Sequence, residues 1–330
     1  MFYEEFSEKI INELNERLKK SDYEVTCENV SVNKNNGVEL NGIRFNLKDS
    51  NVAPVMYIDD FFDMHENEEL SLDEIINKIE KEFYSAIKSS YTEKIVNENK
   101  EILSKDYILD NVLPVVINYD SNIDSLKSND YLYEDMGELA VTYRVFIDYG
   151  NNDAGSYLLK QGFLDKLNIS MEEIQKNAIS NLNSNVEINT MSNIFPYIPE
   201  DAPEIYILSN KKGVYGANAL LDKNTLDKMC DLENVEELTI IPSSIHEVLV
   251  QESISAKNEE QNIFINNMIS DVNETEVDTN DRLSDYPFVY DKNHAEIYCV
   301  NSNNEKTFCI SFDDDGMYMP SLNNGLNKQK

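Results

Sequence analysis

The amino-acid sequence predicts an α+β fold of two lobes, with mostly antiparallel sheets and packed helices. Amphipathic helical stripes and alternating strand patterns are interspersed along the 330 residues, without a regular strand–helix–strand order. Apolar residues make up 41% of the chain, which is enough to fill one large core or two smaller ones. An Asn- and Pro-rich stretch at 183–203 breaks both periodicities, and it therefore predicts the boundary between the lobes.

The first predicted element is an amphipathic helix over residues 2–20, where apolar side chains recur about every four residues. Two strands are predicted next, at Glu24–Val32 and Val38–Leu47, with the Asn35–Gly37 loop between them. An Asn-Gly step between alternating runs predicts a hairpin, because both residues tolerate the positive φ of a type I′ turn. A third, short strand is predicted at Val55–Ile58.

Two capping boxes predict helix starts in the N-terminal lobe. Ser71 with Glu74 opens a helix that is predicted to reach residue 89, and Ser170 with Glu173 opens one that is predicted to reach residue 182. Between these helices, alternating patterns predict strands at 113–119 and 138–148.

A short internal parallel predicts a possible repeated β-β-α unit. Leu158-Leu159 precedes the helical pair Leu164 and Leu167, and Leu220-Leu221 precedes Leu226 and Met229 at the same spacing. Each copy follows a strand and a turn that contains Gly or Asn, so both are predicted to run strand, turn, strand, helix.

The C-terminal lobe is predicted to be mostly strands, with one helix at 259–272. The predicted strands are 204–208, 237–241, 245–250, 288–290, 296–300 and 306–312. The whole chain is therefore divided into an N-terminal lobe at 1–185, a linker at 186–203, a C-terminal lobe at 204–312, and an acidic turn with a disordered tail at 313–330.

The charge of the chain is strongly unbalanced, with 28 Lys and Arg against 62 Asp and Glu, a formal net charge of −34. Such a field repels phosphates and anionic lipid headgroups, so we expect no direct nucleic-acid binding and no membrane association. It favours solubility, or an acidic face that meets a basic protein partner. The N-terminus lacks the pattern of a signal peptide, and we therefore predict a cytoplasmic location.

The sequence offers little for a metal or a cofactor. The four cysteines lie far apart, without a C-x-x-C pair, and no phosphate loop or dinucleotide fingerprint is present. Asp59 and Asp60, with His65 nearby, could hold a metal, but we favour a loose surface loop for that segment. We predict no cofactor and no metal site.

The segment Leu238–Val250, LTIIPSSIHEVLV, is the strongest candidate for an active site, because one of three histidines lies close to two serines and a carboxylate. If Ile245–Val250 is a strand with Ser243-Ser244 as the turn, His246 and Glu247 point to opposite faces, so Glu247 cannot orient the imidazole. Ser244 would lie about 6.5 Å away on the same face, too far for a nucleophile–base hydrogen bond. A hydrogen-bonded, structural His246 is therefore favoured.

Arg144 is the other candidate, because it lies in the middle of a predicted strand, where a half-buried guanidinium needs a carboxylate partner. A structural ion pair is the favoured interpretation. The catalytic alternative uses Ser243 or Ser244 as the nucleophile, His246 as the base and Arg144 as an anion clamp.

Five segments form a specific combination. They are NNGVELNGI (Asn35–Ile43), NVAPVMYIDDFF (Asn51–Phe62), ELAVTYR (Glu138–Arg144), IIPSSIHEVLV (Ile240–Val250) and VNETEV with the later LSD (Val272–Asp285). Together they resemble an uncharacterised domain-of-unknown-function family of gut Firmicutes, over nearly the whole chain. Val55 and Met56 depart from the P-T-[IL]-Y-L run expected in that family. The resemblance implies a shared fold and no known activity.

We therefore predict a soluble, cytoplasmic, two-lobed bacterial protein that binds a protein partner without catalysis. Two alternatives stay open. One is a hydrolase or metal-assisted enzyme centred on His246, which requires His246 and Arg144 to converge in one pocket. The other is an acidic decoy for a nucleic-acid-binding protein.

Overall fold

The computed structural model describes residues 1–21, 24–48, 53–88, 101–150, 153–195, 197, 203–253 and 259–320. The chain forms two compact units: the first comprises residues 1–34, 38–104 and 148–153, and the second comprises residues 35–37, 105–147 and 154–330. This division differs from the predicted lobes. Turn-forming residues at 183–203 mark local breaks in periodicity, whereas the division between the units follows long-range packing.

Among its described residues, the first unit packs three helices on a three-stranded antiparallel sheet of order β1-β2-β3. The elements are α1 (Tyr3–Leu18), β1 (Val25–Asn33), β2 (Glu39–Leu47), β3 (Val55–Tyr57), α2 (Asp59–Glu66) and α3 (Leu72–Lys88). The predicted N-terminal helix, hairpin and third strand are confirmed. Asn36 and Gly37 have φ values of 56° and 70°, as the Asn-Gly signal predicted, although Asn35–Gly37 forms a short 3₁₀ turn.

Helix α2 corrects the prediction of a loose surface loop at Asp59, Asp60 and His65. The rings of Phe62 and His65, three residues apart on one face of α2, lie 5.2 and 5.5 Å from the ring of Phe6. Packing on the fully buried Phe6 is a long-range contact, and it outweighs the polar composition of the segment.

The second unit is built on two sheets, which confirms the α+β class. The larger has eight antiparallel strands in the order β15-β14-β13-β12-β10-β11-β9-β8, and the smaller has the order β4-β6-β5, with β7 also paired to β6. The strands are β4 (Val112–Asn118), β5 (Tyr133–Met136), β6 (Leu139–Gly150), β7 (Asp153–Leu158), β8 (Val186–Thr190), β9 (Tyr206–Asn210), β10 (Glu237–Ser244), β11 (Glu247–Glu252), β12 (Phe288–Asp291), β13 (Glu296–Val300), β14 (Lys306–Phe312) and β15 (Tyr318–Pro320).

The helices of this unit surround a core that receives buried side chains from strands of both sheets. They are α4 (Lys105–Asn111), α5 (Ile123–Ser128), α6 (Gln161–Leu167), α7 (Met171–Asn183), α8 (Met191–Ile194), α9 (Lys223–Glu233) and α10 (Glu259–Thr275). The capping box that opens α7 is confirmed, since Ser170 Oγ accepts from the Glu173 backbone and Glu173 accepts from the Ser170 backbone. Among the described helices, none combines the length and the low polarity that crossing a bilayer requires.

Three segments of this unit depart from the prediction. Residues 186–190, predicted as linker, form β8, because they pair along their whole length with β9. The second copy of the β-β-α repeat lacks its second strand, and Gly216–Leu221 forms a buried 3₁₀ helix instead. Tyr318–Pro320, predicted within the tail region, forms β15, where Tyr318 is buried. Residues 321–330 of the predicted tail lie outside the described residues.

A buried polar network explains why β15 is held in the sheet. The hydroxyl of Tyr143 lies 2.6 Å from that of Tyr318, and it donates to Glu134. Gln175 Nε2 donates to the other carboxylate oxygen of Glu134 at 2.7 Å. Burial raises the pKa of Glu134, and the hydrogen bonds from Tyr143 and Gln175 oppose that rise. A neutral phenol and a neutral amide thus satisfy the Glu134 carboxyl group.

We expect Phe6→Ala to lower the free energy of unfolding by about 3–5 kcal/mol, because it leaves a cavity among rings that cannot close around it. Phe2→Ala is the matched control: Phe2 is 82% exposed, and its loss should change stability by less than about 0.5 kcal/mol. Urea unfolding followed by circular dichroism measures both. Similar values for the two variants would contradict the packing of α1.

We also expect a pH signature from Glu134. Its pKa is raised in the folded state, so the folded protein binds more protons than the unfolded chain above the ordinary Glu pKa of about 4.3. The free energy of unfolding of the wild type, relative to Glu134→Gln, should therefore fall as pH rises through the window between the ordinary and the raised pKa. Urea unfolding at a series of pH values tests this, with the exposed Glu172→Gln as the control for losing one carboxylate. A constant difference across the series would refute the expectation.

Candidate functional site

His246 lies in the two-residue turn Ile245–His246 between β10 and β11, and the prediction that it lies within a strand is wrong. The predicted turn residues Ser243 and Ser244 instead end β10. The register shifts between Pro242 and Ser244, so that Ser244 pairs with Glu247. This β-bulge extends the pairing of β10 with β11 to Ser244, and an alternating sequence pattern does not reveal a bulge.

Both nitrogens of the His246 imidazole have partners inside the protein. Nδ1 accepts a hydrogen bond from the Tyr215 backbone N–H at 3.1 Å, and Nε2 lies 3.4 Å from Asp281 Oδ1. Because Nδ1 accepts, the neutral ring carries its proton on Nε2, facing Asp281. His246 thus has no ring nitrogen free to take a proton from a nucleophile.

Neither candidate nucleophile is bonded to the imidazole. Ser244 Oγ accepts from the His246 backbone N–H at 3.0 Å, and Ser243 Oγ donates to Glu247 Oε1 at 3.3 Å. The carboxylate beside the His246 ring is therefore Asp281, from a segment far away in the sequence, and Glu247 bonds to Ser243 instead. These contacts fix the turn, because they satisfy its backbone and its side chains locally.

Arg144 lies on β6, and its partners are neutral. Its Nη1 donates to Ser156 Oγ on β7 at 2.8 Å, and its guanidinium lies 4.8 Å from the centroid of the Tyr215 ring. Among the described residues, no carboxylate lies within ion-pair distance of Arg144. The contacts with Ser156 and Tyr215 take the place of the expected structural ion pair. A cation over an aromatic face keeps a favourable electrostatic contact without a carboxylate.

Tyr215, which the sequence reasoning did not single out, joins the two candidates. Its ring lies 5.8 Å from the His246 ring and 6.3 Å from the Phe146 ring, in addition to the Arg144 contact. We call Arg144, Phe146, Tyr215, His246 and Asp281 the Tyr215 cluster. Tyr215 has φ 57° and ψ 29°, a left-handed conformation that is rare for a bulky residue and marks a constrained position.

Gly216 allows this arrangement, because the chain passes very close to the His246 turn. A Cβ at Gly216 would lie under 3.0 Å from Ser209 Oγ, the His246 carbonyl oxygen and the Asn210 nitrogen. Ser209 Oγ also donates to the same His246 carbonyl at 2.8 Å. The Tyr215-Gly216 dipeptide is thus the signal in the sequence that could have located the cluster.

The Tyr215 cluster combines charged and aromatic side chains. The side chains of His246 and Asp281 are each about one-third exposed, at 33% and 31%. In the described part of the chain, no group of three or more His, Cys, Asp or Glu side chains gathers as a metal site.

Burial raises the pKa of the Cys27 thiol to about 12, and that of Cys309 to about 11. A raised thiol pKa makes these cysteines poor nucleophiles.

Comparison with known proteins gives one result. Residues 3–292 match the family described as "Family of unknown function (DUF5688)", which confirms the predicted resemblance to a domain-of-unknown-function family. No curated protein matches the chain, and no solved structure matches it.

We expect Gly216→Ala to destabilise the protein by about 1–3 kcal/mol or more, because backbone atoms around the His246 turn must move to admit a methyl group. Gly162→Ala is the matched control: nothing lies within 4 Å of its Cβ position in α6, and an alanine there should stabilise by about 0.5–1 kcal/mol. Thermal unfolding of both variants checks the opposite signs. Two variants of equal stability would contradict the close approach at Gly216.

Proposed function

The chain belongs to the family of unknown function DUF5688, and we propose that it is a cytoplasmic, non-catalytic protein whose acidic surface binds a basic protein partner. No characterised relative lends it an activity, so the proposal depends on the chemistry of its own residues.

The observation that supports the proposal most directly is the engagement of His246. Both of its ring nitrogens have partners within the protein, at 3.1 and 3.4 Å. A general base must reach the proton it abstracts, and a nucleophile must be bonded to its base. Ser243 and Ser244 are bonded elsewhere, and Arg144 is engaged by Ser156 and Tyr215. These four candidate catalytic residues are therefore engaged by contacts within the fold.

The charge supports a basic partner. The chain has 34 more acidic than basic side chains, and several lysines and arginines already pair with carboxylates, such as Arg17 with Glu13 and Lys105 with Glu173. The surplus carboxylates therefore create an uncompensated negative field. Such a field speeds encounter with a positively charged surface and rejects partners of like charge.

The two alternatives are weaker on the same observations. A hydrolase centred on His246 would need Nδ1 released from the Tyr215 backbone before the ring could act as a base. An acidic decoy for a nucleic-acid-binding protein is a narrower form of acidic recognition, and competition by DNA distinguishes it from binding of other basic proteins.

The experiment that tests the proposal captures partners with the immobilised full chain at about 50 mM salt and releases them in steps up to about 0.5 M, where the Debye length is only a few ångströms. We expect a basic protein to be retained and then released by salt, because the attraction is electrostatic. The captured protein is identified, purified and titrated against the chain, with and without DNA as competitor. An unrelated acidic protein of similar charge is the control for nonspecific retention.

Catalysis is tested in parallel with p-nitrophenyl acetate, a general ester probe. The wild type, His246→Ala and Ser244→Ala should give the same background rate. A turnover that depends on His246, in the absence of any salt-released partner, would overturn the proposal.

A further inference from the structure

Strand β8 (Val186–Thr190) ends the eight-stranded sheet. One of its edges pairs antiparallel with β9, and among the described residues no strand pairs with the other edge. An unpaired edge presents backbone N–H and C=O groups in the geometry of a new ladder. It is therefore a template for another strand.

The register identifies which groups face the open edge. The residues that flank β8, Asn185 and Met191, both hydrogen-bond to the β9 side, at 3.0 and 2.8 Å. Bonding alternates along an antiparallel strand, so the odd-numbered residues of β8 bond to β9. Val186 and Ile188 consequently direct their N–H and C=O groups away from β9, whereas Thr190 is the N-cap of α8.

The edge lacks two of the devices that often prevent pairing with other chains, Lys and Pro. Strand β8 contains neither Lys nor Pro, and its central residue Ile188 is 43% exposed. Further exposed apolar side chains follow within ten residues: Ile194, Phe195 and Tyr197, at 52%, 55% and 95%. Exposed apolar side chains beside an open edge favour a docking surface.

The charge of this segment selects the occupant. From Val186 to Ile205 the sequence contains four carboxylates, Glu187, Glu200, Asp201 and Glu204, and no Lys or Arg. Glu187 itself is exposed on β8. A second copy of the chain would bring its own Glu187 to the edge, whereas a basic strand would neutralise this charge.

We propose that the open edge of β8 docks an extended segment of a basic protein as a ninth strand of the sheet. In such a segment, apolar residues alternate with Lys or Arg, so that the apolar face lies beside Ile188 and the basic face beside Glu187. This inference rests on the proposed function and names the partner segment that it needs.

The test uses a fluorescently labelled peptide that alternates lysine and valine over seven residues, with the glutamate–valine peptide as its matched control. Fluorescence anisotropy with the full chain should give binding of the basic peptide at about 50 mM salt, weakening as salt rises. The acidic peptide should bind at least about tenfold more weakly, a difference of about 1.4 kcal/mol. Equal binding of the two peptides would overturn the choice of a basic occupant.

Two variants test the edge itself. Ile188→Pro removes an outward N–H but no bond to β9, and it should weaken peptide binding about tenfold while circular dichroism keeps its folded spectrum. Glu187→Lys leaves the backbone intact and should weaken the basic peptide while improving the acidic one. Undiminished binding in both variants would refute docking at β8.

Sedimentation velocity measures whether a second copy of the chain, in place of a basic partner, occupies the β8 edge. A wild-type dimer that Ile188→Pro converts to a monomer would assign the edge to self-association and overturn the proposal. If a salt-released basic partner binds Ile188→Pro as well as the wild type, β8 docking fails and the proposed function stands. If the peptide binds but no basic protein is captured, the proposed function fails while the edge retains its affinity.

Discussion

The surplus of carboxylates over cations is the constraint on which the rest of the structure depends. With 62 Asp and Glu against 28 Lys and Arg, most carboxylates cannot have a cationic partner. A carboxylate withdrawn from water must still be hydrogen-bonded. The second unit meets part of this need with tyrosine hydroxyls: Tyr143 donates to Glu134, Tyr206 to Glu233 and Tyr298 to Glu296. Asp227 accepts from Tyr290 and also pairs with Lys223. The hydrogen bond to Glu233 raises the pKa of Tyr206 to about 12, and burial, followed by the hydrogen bond to Glu296, raises the pKa of Tyr298 to about 12, so these phenols stay neutral donors.

The Tyr215 cluster departs from that pattern. His246 and Arg144 are among the few groups that could neutralise a carboxylate, yet Arg144 stacks on Tyr215 and His246 meets Asp281 through one ring nitrogen. The left-handed Tyr215 places its N–H on Nδ1 of His246, and Gly216 lets the chain pass beside the turn. Segments from β6, the β9–α9 connection and the His246 turn thus meet at the Tyr215 ring. The Thr279–Asp281 3₁₀ turn joins the cluster through the contact of Asp281 with His246. These contacts constrain the fold of the second unit.

Elements that depend on neighbouring residues were predicted from the sequence. Elements that depend on partners distant along the chain were not. The helix α1, the Asn-Gly hairpin and the capping box of α7 depend on neighbouring residues, so they are visible in the sequence. Helix α2, β8 and the 3₁₀ helix at Gly216–Leu221 depend on partners that are distant along the chain. The turn was predicted at Ser243-Ser244, whereas it is formed by Ile245 and His246. The carboxylate beside His246 was not predicted, because Asp281 follows His246 by a whole helix and no spacing rule connects them.

An open sheet edge and a large negative charge act together on association. Strand pairing is driven by backbone hydrogen bonds that any extended chain can supply, so an unprotected edge such as β8 would by itself bind indiscriminately. Carboxylates beside the edge make the choice of partner a difference between free energies: a like-charged strand meets repulsion, and a basic strand gains attraction over the same backbone bonds. In the docking proposed for β8, Glu187 stands where a Lys commonly protects an edge, and it acts as a filter with the opposite sign. In that docking, the negative charge repels a second copy of the chain and leaves the edge open to a cationic strand.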